Sequence, residues 1–400
     1  MPSNSNRDPL QGSRLQRDSG IRSSRLRVAV VGCGIGLRHA ASFARLNEHF
    51  ELCAVCDTDP GRARAAAAAG GGVEVVESYE TLLGRSDLDL LSLCTPPYLH
   101  YSQITRAVEA GFHVICEKPL VGSLEEMDIL AAVGARVRKL IIPVFQMRFG
   151  SGLQKLKRLV QSGIAGRSYL TSIEVAWRRG SDYYRVPWRA TWKGALGGCV
   201  LSHAVHACDM LLYINGPVSR VHAFAKTLVN PVELEDCAVA SLEMSDGSLA
   251  ALSVTLGSAR ELTRLRFCFE NLAAESNVSP YDCSSDPWQF TGTSPEVDRR
   301  IEETLRQCIP GFEGYDAQFI DAWGMIHGGP GTSRFEDARN AIELASAIYH
   351  SASCSERVDL PLVRGHPAYR GTTLQATPPI RMTQDIIRAG FGREEEGNAG

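Results

Sequence analysis

Residues 28–36 read VAVVGCGIG, four apolar residues followed by glycines at 32, 34 and 36. A wholly apolar run of this length suits a strand covered on both faces. Glycines directly after it let the chain turn sharply and let backbone approach a bulky ligand. In a dinucleotide-binding domain this turn opens a helix whose first amides receive a pyrophosphate. The spacing is GxGxG, so the third glycine comes one position earlier than in the usual fingerprint. Taken alone it reads equally as a tight turn, and the flanking pattern has to decide.

That pattern alternates. "LRVAVV" (26–31), "ELCAVC" (51–56), "VEVV" (73–76), "DLLSLC" (89–94), "FHVIC" (112–116) and "LIIPVF" (140–145) are nearly continuous apolar strands. Helical stretches fall between them: "RHAASFARL", "PGRARAAAAA" with Pro60 in its first turn, and "YSQITRAVEAG" stopped by Gly111, while "SLEE" from Ser123 has capping-box spacing. The βαβαβ order predicts a doubly wound parallel sheet, a Rossmann domain over 25–147. From 148 to 364 the strands are longer and partly alternating, with Asp246-Gly247 as a hairpin turn. They predict an α+β domain with a large, mostly antiparallel open sheet, flanked by helices at 151–162, 197–214 and 335–351. Residues 1–24 are polar and read as a disordered leader, and 365–400 as a loose tail with a short helix conceivable in "TQDIIRAGF" (383–391).

Four hundred residues exceed one ordinary core, and a net charge of −3 gives no footprint for nucleic acid. No apolar run reaches the length of a membrane span, and no apolar signal region opens the chain. The expectation is a soluble cytoplasmic protein that uses neither nucleic acid nor membrane. The twelve cysteines are scattered through apolar stretches, as reduced packing residues would be. Cys53 and Cys56 form a CxxC, but on a strand, where positions three apart face opposite sides.

The C-terminal ends of parallel strands lie along one edge, where the glycine loop also opens. "CTPPYLH" and "CEKPL" therefore bring Thr95, Pro96, His100, Glu117 and Lys118 to the crevice bordered by Gly32, Gly34, Ile35 and Gly36. Lys118 at the end of an apolar strand is, by itself, an ordinary solvated lysine; among these neighbours it points into the cleft. Asp57 closes the second strand, where an acid binds ribose hydroxyls and repels a 2′-phosphate. NAD is the expected cofactor, with Arg62 and Arg64 on the next helix leaving NADP open. "FQMRF" (145–149) sets Gln146 and Arg148 at the same edge, Arg148 as a candidate contact for substrate or cofactor.

In the second half, "YYRVPWRATW" (183–192) with Arg179, Arg185 and Arg189 suits the wall of a polar ring-shaped ligand site, or a plain surface loop. Trp188 and Arg189 are the candidate substrate contacts there. "LGGCVLSHAVHACDML" (196–211), read as a helix, sets His203, His206 and Asp209 along one slowly turning face. The spacing is no recognised zinc pattern, and no metal is expected.

Together "VVGCGIG", "CDTDP", "CTPPYLH", "EKPL" and "GGCVLSHAVHACDML", in this order, resemble the glucose-fructose oxidoreductase, inositol dehydrogenase and rhizopine catabolism group, Gfo/Idh/MocA, over roughly 25–362. The resemblance implies hydride transfer between nicotinamide and a secondary alcohol of a sugar, polyol or related ring. It implies Lys118 as the active-site lysine, with a candidate cis Lys118-Pro119 bond, and His206 as acid/base. It also implies a homodimer or homotetramer joined through the open sheet. The family commonly has Asp four residues before this His; here Ser202 stands there, with His203 beside it as a stand-in and substrate contact. Two alternatives share these motifs: a redox-neutral lyase or glycosidase using transient oxidation, and a non-catalytic dinucleotide-binding protein, which the Ser202 departure and shortened loop would favour.

Overall fold

The computed structural model describes residues 25–371. The expected leader, most of the expected tail and the short helix at 383–391 lie outside the described residues. The apolar runs form strands β1 (Leu26–Val31), β2 (Phe50–Cys56), β3 (Glu74–Val76), β4 (Leu90–Leu93), β5 (His113–Cys116) and β6 (Ile141–Pro143). All pair in parallel, in the order β3-β2-β1-β4-β5-β6. The helices between them are α1 (Gly36–Arg45), α2 (Pro60–Ala69), α3 (Tyr79–Leu83), α4 (Pro97–Glu109) and α5 (Leu124–Val137). They cover both faces, so β1 and β4 are buried almost throughout, which is why their sequences carry no alternation.

The chain leaves β6 through a 3-10 turn, Gln146–Phe149, and enters α6 (Ser151–Gln161) and β7 (Ser168–Arg178). Two short helices, α7 (Ser181–Tyr184) and α8 (Trp192–Ala195), precede α9 (Val205–Asn215). Strands β8 (Val218–Lys226), β9 (Cys237–Met244), β10 (Leu249–Thr255), β11 (Gly257–Phe269), β12 (Leu272–Glu275) and β13 (Gln289–Gly292) follow. Helices α10 (Pro295–Leu305), α11 (Gly314–Ile326) and α12 (Phe335–Cys354) and strand β14 (Val358–Asp359) complete it. The sheet runs β13-β12-β11-β7-β10-β9-β8-β14, antiparallel except for β7 with β10. Asp246-Gly247 is the expected hairpin, with Gly247 at φ +84°. β8, β9 and β10 alternate buried and exposed residues, so one face packs on the helices and the other stands open.

Three details depart from the sequence reading. The helix expected over 197–214 begins as a wide turn at Cys199–His203, where the Ala204 N–H reaches back to the Cys199 carbonyl, and becomes α-helical only at Val205. Residues 367–370, expected in a loose tail, form a 3-10 turn with Ala368 and Tyr369 buried, the Tyr369 hydroxyl donating to Asp128. And α11, expected with the second domain, returns to the first. Its Phe319 stacks on Phe43 of α1 with ring centres 4.3 Å apart, and its Asp316 accepts from Ser42 and from the Arg45 guanidinium.

The apolar part of that contact carries its energy. Phe319 is fully buried, and replacing it with alanine should cost about 3–5 kcal/mol. Arg45 is more than half exposed, so Arg45→Ala should cost less than about 1 kcal/mol. Urea unfolding of the two variants checks the order.

Candidate active site

The three glycines divide their work although the loop is short. Gly32 sits at φ +85°, and a Cβ there would lie 2.7 Å from the Cys94 carbonyl carbon, so only glycine lets β1 turn beside the end of β4. A Cβ on Gly36 would come within 2.9 Å of Val30, which is the close strand–helix packing the third glycine permits. A Cβ on Gly34 would meet nothing within 4 Å. Gly34 and Ile35 are exposed, and α1 starts with no side-chain cap and no acid in its first turn. That leaves an open backbone cradle at a helix N-terminus, which fits a pyrophosphate. Asp57 stands beside it, its carboxylate accepting from the Cys33 N–H at 2.5 Å and the Asp59 N–H at 2.7 Å.

Thr95 and Pro96 end β4 next to this turn. His100, expected to contact the cofactor, is instead wholly buried. Its ring nitrogens lie 2.8 Å from the Pro119 and Thr95 carbonyls, so it clamps the two strand-end loops together. Burial lowers its pKa despite these acceptors. Glu117 is likewise a support, only 6 % exposed. Its carboxylate receives the Tyr315 hydroxyl at 3.0 Å and the Lys118 N–H at 3.1 Å, and pairs with His39 Nε2 at 3.2 Å. Burial raises its pKa, but His39, Lys118 and His206 outweigh that and hold it at about 2. His39 Nδ1 in turn meets Ser92 Oγ at 2.8 Å. His39 and Tyr315 were missed by sequence reasoning; the one available signal was a histidine three residues past Gly36, on the face of α1 that carries Ala40 and Phe43.

Lys118 reaches out of this support, the Lys118-Pro119 bond being cis. Its ammonium donates to the Ser202 carbonyl at 2.8 Å, in the wide turn before α9, so the two domains meet there. Burial, with some help from Arg179, lowers its pKa, and Glu117 opposes them. The turn itself is tied down by Glu235, whose carboxylate accepts from the Gly198 and Val200 N–H groups at 3.0 Å and from the Tyr349 hydroxyl at 2.7 Å. Ser202 Oγ donates to the Gly197 carbonyl, away from any histidine.

His203 and His206 are both buried, with Nδ1 and Nε2 of His203 and Nδ1 of His206 lacking partners among the described residues. Burial first and Lys118 second lower the His206 pKa to about 3; burial, Lys118, Arg179 and Arg189 hold His203 well below its usual value. Both rings are neutral at neutral pH. His203 lies between Trp177 and Tyr183, at 5.6 and 5.5 Å between centres. Arg179 and Arg189 stack on Tyr183 at 5.4 and 4.4 Å, and Arg189 also on Trp188 at 5.3 Å. Arg185 is exposed and paired with Asp182, outside this cluster.

Arg148, expected as a ligand contact, is taken up by protein partners instead. It is 3 % exposed, donates twice to Asp209 at 2.7 Å, bonds the Thr332 carbonyl and pairs with Asp337. A guanidinium so committed ties β6, α9 and α12 together, and Asp209 is its partner rather than a member of a histidine face. Nearby, Gln146 Oε1 is buried without a partner. Among the described residues, no three His, Cys, Asp or Glu side chains converge as metal ligands.

Comparison with known proteins gives the same outline. Residues 26–144 match the family model described as "Oxidoreductase family, NAD-binding Rossmann fold", and residues 153–274 the "GFO/IDH/MocA C-terminal domain". The D-glucoside 3-dehydrogenase of Escherichia coli K12 is 25 % identical over 364 residues, 86 % of this chain and 99 % of the relative. Inositol 2-dehydrogenase 3 of Saccharopolyspora erythraea is 34 % identical over 35 % of this chain and 42 % of its own length. Among solved structures, the WlbA dehydrogenase of Bordetella pertussis, in complex with NADH and UDP-GlcNAcA, aligns with a TM-score of 0.75 and 28 % identity, covering 85 % of this chain and all of that one.

Two predictions follow from the geometry of the cleft. Gly32→Ala should destabilise the fold by more than about 1 kcal/mol through its positive φ, whereas Gly34→Val should melt like the wild type and weaken NADH binding, read by thermal melts and NADH fluorescence. For His206, the unfolded chain gains a proton below its ordinary pKa of 6.5, which the folded site refuses until about 3. Wild-type stability therefore falls on this account as pH drops through that window, by up to about 1.4 kcal/mol per pH unit. The difference in unfolding free energy between wild type and His206→Gln should move in the variant's favour from about pH 7 to about pH 5.

Proposed function

Because the chain belongs to the Gfo/Idh/MocA family of NAD-binding oxidoreductases, we propose that it oxidises a secondary alcohol of a sugar, polyol or related ring, with Lys118 and His206 managing the proton. The observation that carries the assignment is the Lys118 bond to the Ser202 carbonyl, because it joins the end of β5 to the turn that leads into His206. Similarity to glucoside and inositol dehydrogenases and to an NADH-bound sugar-nucleotide enzyme supports the substrate class. Bound NAD supplies the hydride acceptor.

The residues of the chain supply position and proton transfer. Gly34, Ile35 and the first turn of α1 hold the pyrophosphate, and Asp57 the adenosine ribose, so NAD is preferred over NADP. Lys118 donates to the reacting oxygen and stabilises the negative charge that builds there as the hydroxyl proton leaves. His206, neutral at rest, accepts the hydroxyl proton. Burial and Lys118 resist that protonation and Glu117 favours it, so the buried carboxylate offsets part of the ammonium's effect. No carboxylate orients His206 from position 202, which leaves this task to the packing of α9 and to Phe145, whose ring meets it edge-on at 6.1 Å.

We further assign the open face of the eight-stranded sheet to a second copy of the chain, in a homodimer or homotetramer. Phe224, Val239 and Leu249 are each about half exposed on it. Twelve free cysteines suit a reducing cytoplasm, and among the described residues no single helix is long and apolar enough to cross a membrane.

Lys118→Ala and His206→Ala should each lower turnover about 10²- to 10⁴-fold while NADH still binds, measured by NADH formation across a sugar and polyol panel and by fluorescence titration. Turnover without net NADH would favour the redox-neutral reading. Val239→Asp should convert the oligomer to monomer in light scattering.

A further inference from the structure

The cleft holds more positive charge than its own residues neutralise. Lys118, Arg179 and Arg189 all bear on His203. Arg179 has a carboxylate partner, Glu261, at 3.0 Å. Among the described residues Arg189 forms no ion pair; the one hydrogen bond of its side chain is a long contact of 3.4 Å to the Tyr183 carbonyl, and its Nε is buried with no acceptor. Stacking on Tyr183 and Trp188 fixes the plane of that guanidinium fork. Tyr183, the ring it lies on, also faces His203, which is only 6 % exposed and whose ring nitrogens meet no side-chain partner, only the Gly198 backbone. A half-buried, oriented fork whose Nε is shut off from solvent without an acceptor, beside a buried imidazole, is incomplete without an anion.

We infer that the substrate ring carries a carboxylate, bound by Arg189 with Arg179 and His203 at its edge, so that the enzyme prefers sugar acids over the matching neutral sugars. This rests on reading the cleft as a hydride-transfer site and adds its specificity. A carboxylate matches the planar Arg189 fork with two parallel bonds, and Arg189 and His203 both lie against the Tyr183 ring.

The test compares NADH formation at saturating NAD with D-glucuronate against D-glucose, D-galacturonate against D-galactose, UDP-glucuronate against UDP-glucose, and D-glucose 6-phosphate. In the wild type the acid of a pair should exceed its neutral partner in kcat/KM by about tenfold or more, with the UDP pair telling free from nucleotide-linked acids. Arg189→Met should collapse this ratio and Arg189→Lys restore part of it. Equal use of acid and neutral sugar, a preference that survives Arg189→Met, or a preference for the sugar phosphate each overturns the inference. If no sugar yields NADH, calorimetric titration of the NADH complex with the same compounds separates the two readings: acid binding that depends on Arg189 keeps this inference while the hydride-transfer assignment falls, and binding without acid preference overturns it. Should Arg189→Met not fold, the wild-type and Arg189→Lys ratios decide, and a wild-type ratio near one overturns it.

Discussion

A lysine ammonium enclosed between two domains must find both an acceptor and a compensating charge, since either lack would drive it neutral or push the domains apart. At Lys118 the acceptor is the Ser202 carbonyl and the charge is Glu117, one residue back. Glu117 is itself enclosed and stays ionised because His39, Lys118 and His206 favour its charge, while the Tyr315 hydroxyl and the Lys118 N–H donate to it. His39 belongs to the helix that the glycine loop opens, and Tyr315 to α11, which returns from the far side of the sequence. One buried carboxylate therefore links the cradle for the pyrophosphate, the lysine and the returning helix.

The same arrangement sets the state of the histidines. With cations close by and solvent excluded, His203 and His206 rest as neutral imidazoles, able to accept a proton or a hydrogen bond. Serine at position 202 fits this arrangement. Its side chain turns back to Gly197 and its carbonyl serves Lys118, so the position contributes a dipole where a charged acid would have paired with the histidine. The counter-charge comes from beneath, through Glu117, and not from the neighbouring turn.

What could be read from sequence was what local chemistry dictates. The apolar runs gave the six parallel strands because burial on both faces leaves a one-dimensional trace, and the alternating runs gave the open sheet for the converse reason. Lys118 and His206 were singled out through short motifs, and the structure brings the Lys118 ammonium to the turn that leads into His206. Arg148 was misjudged because its partners, Asp209 and Asp337, come from distant helices, and a strand-end arginine looks the same whether or not it is claimed. His100 and Glu117 were placed at the right edge but facing the wrong way, since sequence fixes the strand end and not the direction in which a side chain is packed. Tyr315 and the return of α11 left no trace at all, because the contact between Phe319 and Phe43 joins segments whose separation no periodicity encodes.

The wide turn at Cys199–His203 shows why the break in the helix is required. A regular helix from 197 would put His203 and His206 on one face and leave the first amides for water or a cap. Instead the Glu235 carboxylate takes the Gly198 and Val200 amides and its carbonyl takes that of Cys199. Gly198 must be glycine, since a Cβ there would overlap Glu235. Held this way, the turn presents the Ser202 carbonyl to Lys118 and separates the two histidines, His203 toward the aromatic and arginine wall and His206 toward Phe145. A single irregular turn thus gives two imidazoles, three residues apart, different surroundings, which is what the proposed division between binding a ring substituent and transferring a proton requires.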